Sequence, residues 1–240
     1  MKHNETRYRP NVHMPANALQ TGALAALLCM GAMFQSCTDS SSGSNSKLQV
    51  SEVMRVDTLE GSCPYLTTDN KGNVVLSWIR KTDRSVLAYC YAVSKDEGKT
   101  FGKALDLHGS GDLPPHGENL PKIIFKPDGE ISAVWPTANP NPKNQYSDLV
   151  HYARSFDHGA TWSDPKPLVN DTASYDQRYF AMAVLPNGEA AISWLDNRKK
   201  ASDAATEGSA LYFAETSGHS GFVNERWVSE PCCPCCRTSL

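Results

Sequence analysis

The sequence has little net charge of either sign. Its 240 residues hold 23 Lys and Arg against 26 Asp and Glu, a formal −3. The basic residues are scattered, so nothing in the charge pattern argues for a nucleic-acid partner. Long apolar runs are missing as well. The one extended stretch, "ALQTGALAALLCMGAMF" from Ala18 to Phe34, is about 17 residues, which is short for a membrane span and suits the h-region of a signal peptide. No haem-attachment motif is complete, because C-x-x-C is followed by Cys236 or Arg237 and not by His. What the chain does have is strand and turn chemistry. Five Trp and nine Tyr sit among 16 Gly, 15 Pro and many Asn and Asp, which predicts short strands joined by turns. A 40% hydrophobic share can fill a core in one or two domains.

Residues 1–36 read as a signal peptide, with Lys2, Arg7 and Arg9 ahead of the apolar run. "QSC" follows, ending at Cys37, and then the polar run "TDSSSGSNSK". A small residue before Cys, directly after an h-region, resembles the lipobox of bacterial lipoproteins, with Phe34 at the usual Leu position. That resemblance implies lipidation at Cys37, a flexible Ser-rich tether over 37–47, and membrane attachment through a lipid anchor. The alternative is an ordinary cleaved signal with a bystander Cys. Either reading places the mature protein outside the cytoplasm, in the cell envelope or on the cell surface, where disulfides are permitted.

Three segments repeat: "CPYLTTDNKGNVVLSW" from Cys63, "LPKIIFKPDGEISAVW" from Leu120 and "YFAMAVLPNGEAAISW" from Tyr179. In each, a Gly (Gly72, Gly129, Gly188) precedes a Trp by six residues. Each reads as two strands about an Asn/Asp/Gly turn. A polar loop follows, then a third strand, a short motif and a fourth strand. The unit of roughly 55–60 residues is a four-stranded antiparallel meander, which is one blade of a β-propeller. A β-sandwich would not repeat so regularly, and β-helix coils are shorter. The expected fold is therefore an all-β propeller over 48–240, with blades at about 60–108, 118–170 and 176–229. A fourth is expected to start at 230–240, and "LQVSEVMRVDTL" from Leu48 reads like the last strand of a blade. Three blades and a fragment do not close a ring, so the chain is expected to be part of one or to be completed by another chain.

The motif is "SKDEGKTFG" at Ser94 and "SFDHGATWS" at Ser155. Ser94, Asp96, Gly98, Thr100 and Phe101, and again Ser155, Asp157, Gly159, Thr161 and Trp162, resemble the Asp-box (BNR repeat) of sialidase-like β-propellers. A third copy, "SGHSGFVNERW", keeps a Ser, a Gly and an aromatic. The resemblance implies a ring of about six blades and a glycan-directed scaffold, with glycan or glycoprotein as partner. The chemistry of the motif itself is structural. Asp can hold backbone N–H groups across a tight turn, Gly supplies a positive φ, and the aromatic tucks between strands.

If the strands of each blade alternate up and down, the motif and the first turn share one face, and the longer loops occupy the other. Binding sites lie on such loops. There the first blade offers "IRKTDRS", with Arg80, Asp83 and Arg84. The third offers "LDNRKKASDAATEGS", with Asp196, Asn197 and Arg198. The starts of the innermost strands add His116, Glu118, Asn119, Tyr175, Asp176, Arg178 and Tyr179. Converging arginines can clamp a carboxylate by paired hydrogen bonds, as a sialic acid requires; arginines paired with aspartates can equally well only stabilise loops. The resemblance implies an Arg-Ile-Pro near the first blade, but here Ser62 stands at the Arg position before Pro64. It also implies a Tyr nucleophile beyond this chain, and an acid/base Asp for which Asp83 is the counterpart. Sialidase activity by this chain alone is therefore not expected.

The remaining motif is "CCPCC". Cys232 with Cys235, and Cys233 with Cys236, have C-x-x-C spacing. Such thiolates can hold a soft metal, Cu(I) or Zn(II), or oxidise to i,i+3 disulfides. No other cofactor is called for.

Overall fold

The structure, a computed structural model, describes residues 52–240 apart from 83, 85, 112, 142–146, 171–174 and 202–204. The signal, tether, Cys37 and Asp83 lie outside the described residues. Among the described residues no helix is long and apolar enough to cross a membrane.

Among the described residues, twelve strands form three four-stranded antiparallel sheets, each in sequential order. The first holds β1 (Gly61–Thr68), β2 (Val74–Lys81), β3 (Leu87–Ser94) and β4 (Leu105–Asp106). The second holds β5 (Lys122–Phe125), β6 (Ile131–Ala138), β7 (Asp148–Ser155) and β8 (Lys166–Pro167). The third holds β9 (Gln177–Val184), β10 (Ala190–Asp196), β11 (Ala210–Thr216) and β12 (Phe222–Trp227). These are the three expected blades of a propeller-type protein. Residues 52–60 make no strand. Residues 230–240 make none either, forming instead a single bridge from Cys232 to Ser209.

The first turn of each blade closes through the same backbone bond. Gly72 N–H donates to Asp69 O, Gly129 N–H to Lys126 O, and Gly188 N–H to Leu185 O. All three glycines have positive φ, which costs an L side chain strain and glycine nothing. Alternation along each strand then feeds two sides. Ile131, Ala133 and Trp135 pack with Val75, Ile79, Tyr89 and Tyr91 of the first blade. Their neighbour Val134, with Val150 and Tyr152, packs with Phe180, Ile192 and Trp194 of the third. The core thus lies between blades, and each large side chain buried there contributes about 1.5–3 kcal/mol.

The two motifs have the same geometry. Ser94 Oγ donates to Asp96 Oδ1, and Gly98 N–H to Ser94 Oγ, both at 2.8 Å. Thr100 N–H and Oγ1 bind the two Asp96 oxygens at 2.8 and 2.6 Å. Ser155, Asp157, Gly159 and Thr161 reproduce these bonds at the same distances. Glu97 and His158 share the positive φ of the following glycines, so both turns carry two left-handed residues. Register places them as expected: Val74 pairs with both Thr68 and Ser94, so motif and first turn share an end of the blade. The third copy differs from its sequence reading. Thr216, not Ser217, takes the place of Ser94 and Ser155, and its Oγ1 accepts from Ala190 N–H at 2.9 Å. Glu189 substitutes for the missing Asp, accepting from Thr216 Oγ1 and from Gly218 N–H.

Two tertiary devices join the blades at this end. Tyr91 of the first blade lies against Gly159 in the motif turn of the second, and Tyr152 of the second lies against Gly221 in the corresponding turn of the third. A buried ionic network runs across the second boundary. Arg154 grips Glu130 with two bonds of 2.6 and 2.7 Å. Lys126 reaches Glu130 at 3.0 Å and Glu189 of the third blade at 2.8 Å.

These bonds set an acid limit. The Thr100 hydroxyl and N–H hold Asp96 down to about 2 from its ordinary 3.8, and Thr161 does the same for Asp157. Lys126 and Thr216 hold Glu189 down to about 2 from 4.5. Carboxyls depressed on folding stabilise fully above their unfolded values and lose that contribution as pH falls through the folded ones. Thermal melts are therefore expected to give a flat Tm above about pH 5 and a fall between about pH 4.5 and 2. E189Q, D96N and D157N are each expected to flatten that slope. An unchanged slope in all three would show that these bonds are not held in solution.

Candidate functional site

The opposite, loop-bearing face gathers titratable groups at the heads of the innermost strands. Two of these strands are distorted there. Cys63 and Pro64 both face Trp78, so β1 bulges, and Cys63 has φ 54°. Tyr179 and Phe180 likewise face Trp194, with Tyr179 at φ 53°. Bulges re-aim side chains and are common beside sites. A non-glycine residue held left-handed costs on the order of 1–2 kcal/mol, so its surroundings must hold it there. At Tyr179 they do so on both sides: its N–H donates to Asn119 Oδ1 at 2.8 Å, and its carbonyl accepts from the Thr238 hydroxyl at 2.5 Å.

From Asn119 a chain of bonds leads on. Asn119 Nδ2 donates to Asp148 Oδ2 at 2.9 Å. Asp148 N–H donates to Asp176 Oδ1 at 3.0 Å, and Arg178 binds Asp176 through both carboxylate oxygens. Burial pushes the Asp148 carboxyl above the usual range, against the pull of Asn119 and Arg178. His116 Nδ1 accepts from the N–H groups of Glu118 and Asn119, both at 3.2 Å, which leaves its proton on Nε2. The His116 ring stands edge-on to Tyr179 at 6.3 Å. Lys122 lies 4.7 Å from the Phe180 ring and 5.7 Å from that of Tyr65, and burial lowers its ammonium to about 8.

Beside this network runs an open trough with a cavity volume of about 670 Å³, lined by Gly111, Leu113, Pro114, Thr137, Ala138 and His151. His151 is half-buried, with Nδ1 2.9 Å from Thr137 Oγ1, and burial lowers its pKa. Asp148 is the cross-strand partner of Ala138 on the trough's rim.

The arginines singled out by sequence each sit with carboxylates. Arg80 pairs with Asp57 at 3.4 Å and Asp106 at 2.5 Å, on the first blade's outer side. Arg178 pairs with Asp176 as described. Arg198 pairs with Glu225 at 2.7 Å and Asp196 at 3.5 Å, and stacks over Tyr212 at 3.9 Å. Arg84 is exposed on the β2–β3 loop. None of the four lines the trough. Ser62 is exposed at the head of β1.

Sequence reasoning passed over Asp148 and Lys122. Asp148 ends a loop otherwise poor in charge, where a lone acid before an apolar strand was the available signal. Lys122 looks like any strand lysine until the neighbouring blades cover it. The C-terminal segment, expected to start a fourth blade, is instead tied down across the loop face. Arg237 pairs with Glu118, and Thr238 bonds to Tyr179 and Ser193, so the segment crosses the strand heads of two blades.

No protein-family model matches the chain, and no curated protein matches it by sequence. By fold it is similar to several solved structures. One is an alpha-L-arabinanase from Penicillium chrysogenum complexed with arabinobiose: 15% identity, 70% of this chain and 49% of that one, TM-score 0.49. Another is a Hadza microbial sialidase: 16% identity, 68% and 36% coverage, TM-score 0.42. A third is an endo-1,4-beta-xylanase from Bacteroides thetaiotaomicron: 15% identity, 75% and 62% coverage, TM-score 0.45. These neighbours are glycoside hydrolases of low sequence identity, and the chain spans less than two thirds of the length of each. The likeness bears on fold alone.

Proposed function

We propose that this chain is the glycan-directed part of an exported, sialidase-like Asp-box propeller, anchored through Cys37 and binding sugar on its loop face. One observation carries the reading. The trough has the volume of a small-ligand site, its lining includes Thr137 and His151, and Asp148 stands across the strand pair from its rim residue Ala138, so a hydroxyl, an imidazole and a carboxylate are at hand for sugar hydroxyls. The solved structures similar in fold bear the names of enzymes acting on glycans, which agrees with this reading.

The arginine pairing favours neutral sugar contacts over a carboxylate clamp. Arg80, Arg178 and Arg198 already have their charge met by carboxylates, whereas Arg84 is exposed. With Ser62 at the position where the family resemblance implies Arg, and Asp83 as the only acid/base counterpart, the proposal is binding without sialoside hydrolysis. Calorimetric titration with an arabino-oligosaccharide and with 3′-sialyllactose tests it. The neutral sugar is expected to bind, and D148N to weaken it by about tenfold or more, the size of a lost hydrogen bond to a charged group. R84A, outside the trough, is expected to leave the affinity for the neutral sugar unchanged. Absence of binding by both sugars, or turnover of the sialoside, would overturn the proposal.

A further inference from the structure

The five residues of "CCPCC" are held between two anchors. At one end Cys232 is bridged to Ser209 in both directions, N–H to carbonyl, at 2.9 and 3.0 Å. At the other, Arg237 pairs with Glu118 and Thr238 is fixed to Tyr179 and Ser193. Gly208 lies directly against the Cys232 carbonyl, where no larger residue fits. Between the anchors the chain turns back on itself. Cys233, Cys235 and Cys236 bring their sulfurs within 4.8 Å of one another, all exposed. Cys232 does not join them: its thiol donates to Ser209 O at 3.4 Å. The spacing of the motif pairs Cys232 with Cys235 and Cys233 with Cys236, but folding selects a different set of three.

We infer that Cys233, Cys235 and Cys236 form a three-thiolate site for a monovalent soft ion, Cu(I). Thiolate sulfur selects soft metals, and exposed thiols at a loop tip are open to loading. A structural zinc site takes four ligands, and the fourth cysteine's thiol is bonded to the Ser209 carbonyl instead. Binding needs no oxidant. Three S–H groups ionise, three protons pass to solvent, and three Cu–S bonds form with copper staying Cu(I). Cys233 and Cys235 already stand closest, sulfur to sulfur at 2.7 Å. A cation at this point would lie next to the segment that fixes Tyr179, and so within reach of the loop-face network. The site is independent of the glycan reading, because none of its ligands belongs to the trough.

The test uses the full chain, reduced with a phosphine and kept under anaerobic conditions. Cu(I) is titrated in competition with bathocuproine disulfonate, with far-UV circular dichroism confirming the fold of each variant. One equivalent is expected to be retained. C233S, C235S and C236S are each expected to weaken retention by 100-fold or more, and C232S by less than threefold. Equal losses for all four variants would replace the three-ligand site with a four-thiolate one and overturn the inference. Retention unaffected by any of the three would also overturn it. So would a disulfide among these cysteines that survives the reductant in the folded chain, seen as a mass two hydrogens lower.

Discussion

Replacing Glu130 with alanine is expected to cost about 3–5 kcal/mol of stability. Glu130, Arg154 and Lys126 are all nearly inaccessible, with side chains 3%, 5% and 1% exposed. Glu130 accepts from both nitrogens of the Arg154 fork, from Lys126 and from the Ser132 hydroxyl. With it gone, the guanidinium keeps, among the described residues, the Gly218 carbonyl from the third blade and the face of the Phe156 ring, and no carboxylate. Desolvation makes such an orphaned cation expensive, whereas replacing a whole buried set with apolar groups can be nearly neutral. Urea unfolding of E130A should therefore show a much lower midpoint, and the triple change E130L, R154L and K126L should recover most of the loss. An unfolding free energy within about 0.5 kcal/mol of the parent for E130A would mean that the network is solvated. Because Lys126 also holds Glu189, the boundary between the second and third blades should loosen first, and hydrogen exchange in β9 and β10 should rise before that in β2 and β3.

The second large effect separates two glycines in the same motif. Gly98 and Gly159 occupy the same position and have nearly the same φ, 86° and 88°. On local grounds, alanine at either should cost about 1–2 kcal/mol of left-handed strain. The surroundings differ, however. A methyl group at Gly98 meets nothing within 4 Å, but one at Gly159 collides with the Tyr91 hydroxyl and approaches Ile131. Tyr91 is itself buried, with its ring edge-on to Trp162 of the same motif, so it has little room to move. G159A is therefore expected to lose about 1–3 kcal/mol more than G98A, the overpacking penalty. Y91F with G159A should restore part of that difference. Equal losses at the two glycines would show that the tyrosine gives way freely. The repeated contact of Tyr152 with Gly221 predicts the same penalty at the next boundary.

Both results depend on a division that the chain shows throughout. The strands and turns were legible in sequence because their causes are local. A Gly six residues before each Trp fixes the first turn, alternation along "ISAVW" assigns two faces, and Ser-x-Asp-x-Gly-x-Thr closes its own bonds within four residues. Where the local chemistry fades, so does the reading. In the third copy Thr216 and Glu189 do the work assigned to Ser217, because Glu189 approaches from another turn.

The candidate site was legible only as a face. Sequence placed the working loops opposite the motif and named Asp176, Arg178, Tyr179, His116 and Asn119 among their residues. It could not show that Arg80, Arg178 and Arg198 are each occupied by carboxylates, or that burial pushes the Asp148 carboxyl upward.

The sequence by itself determined the blade: its length, its four strands, its turns and the end at which the fastening motif lies. Each follows from side-chain period, glycine φ and hydrogen bonds made within a few residues. The tertiary structure alone decided which groups meet. Asn119 meets Tyr179 across 60 residues, Lys126 meets Glu189 across 63, and Arg237 meets Glu118 across 119. It also decided which three of four adjacent cysteines converge. Contacts of that span depend on how one blade packs on the next and on where the chain is anchored, and no pattern within a single blade encodes them.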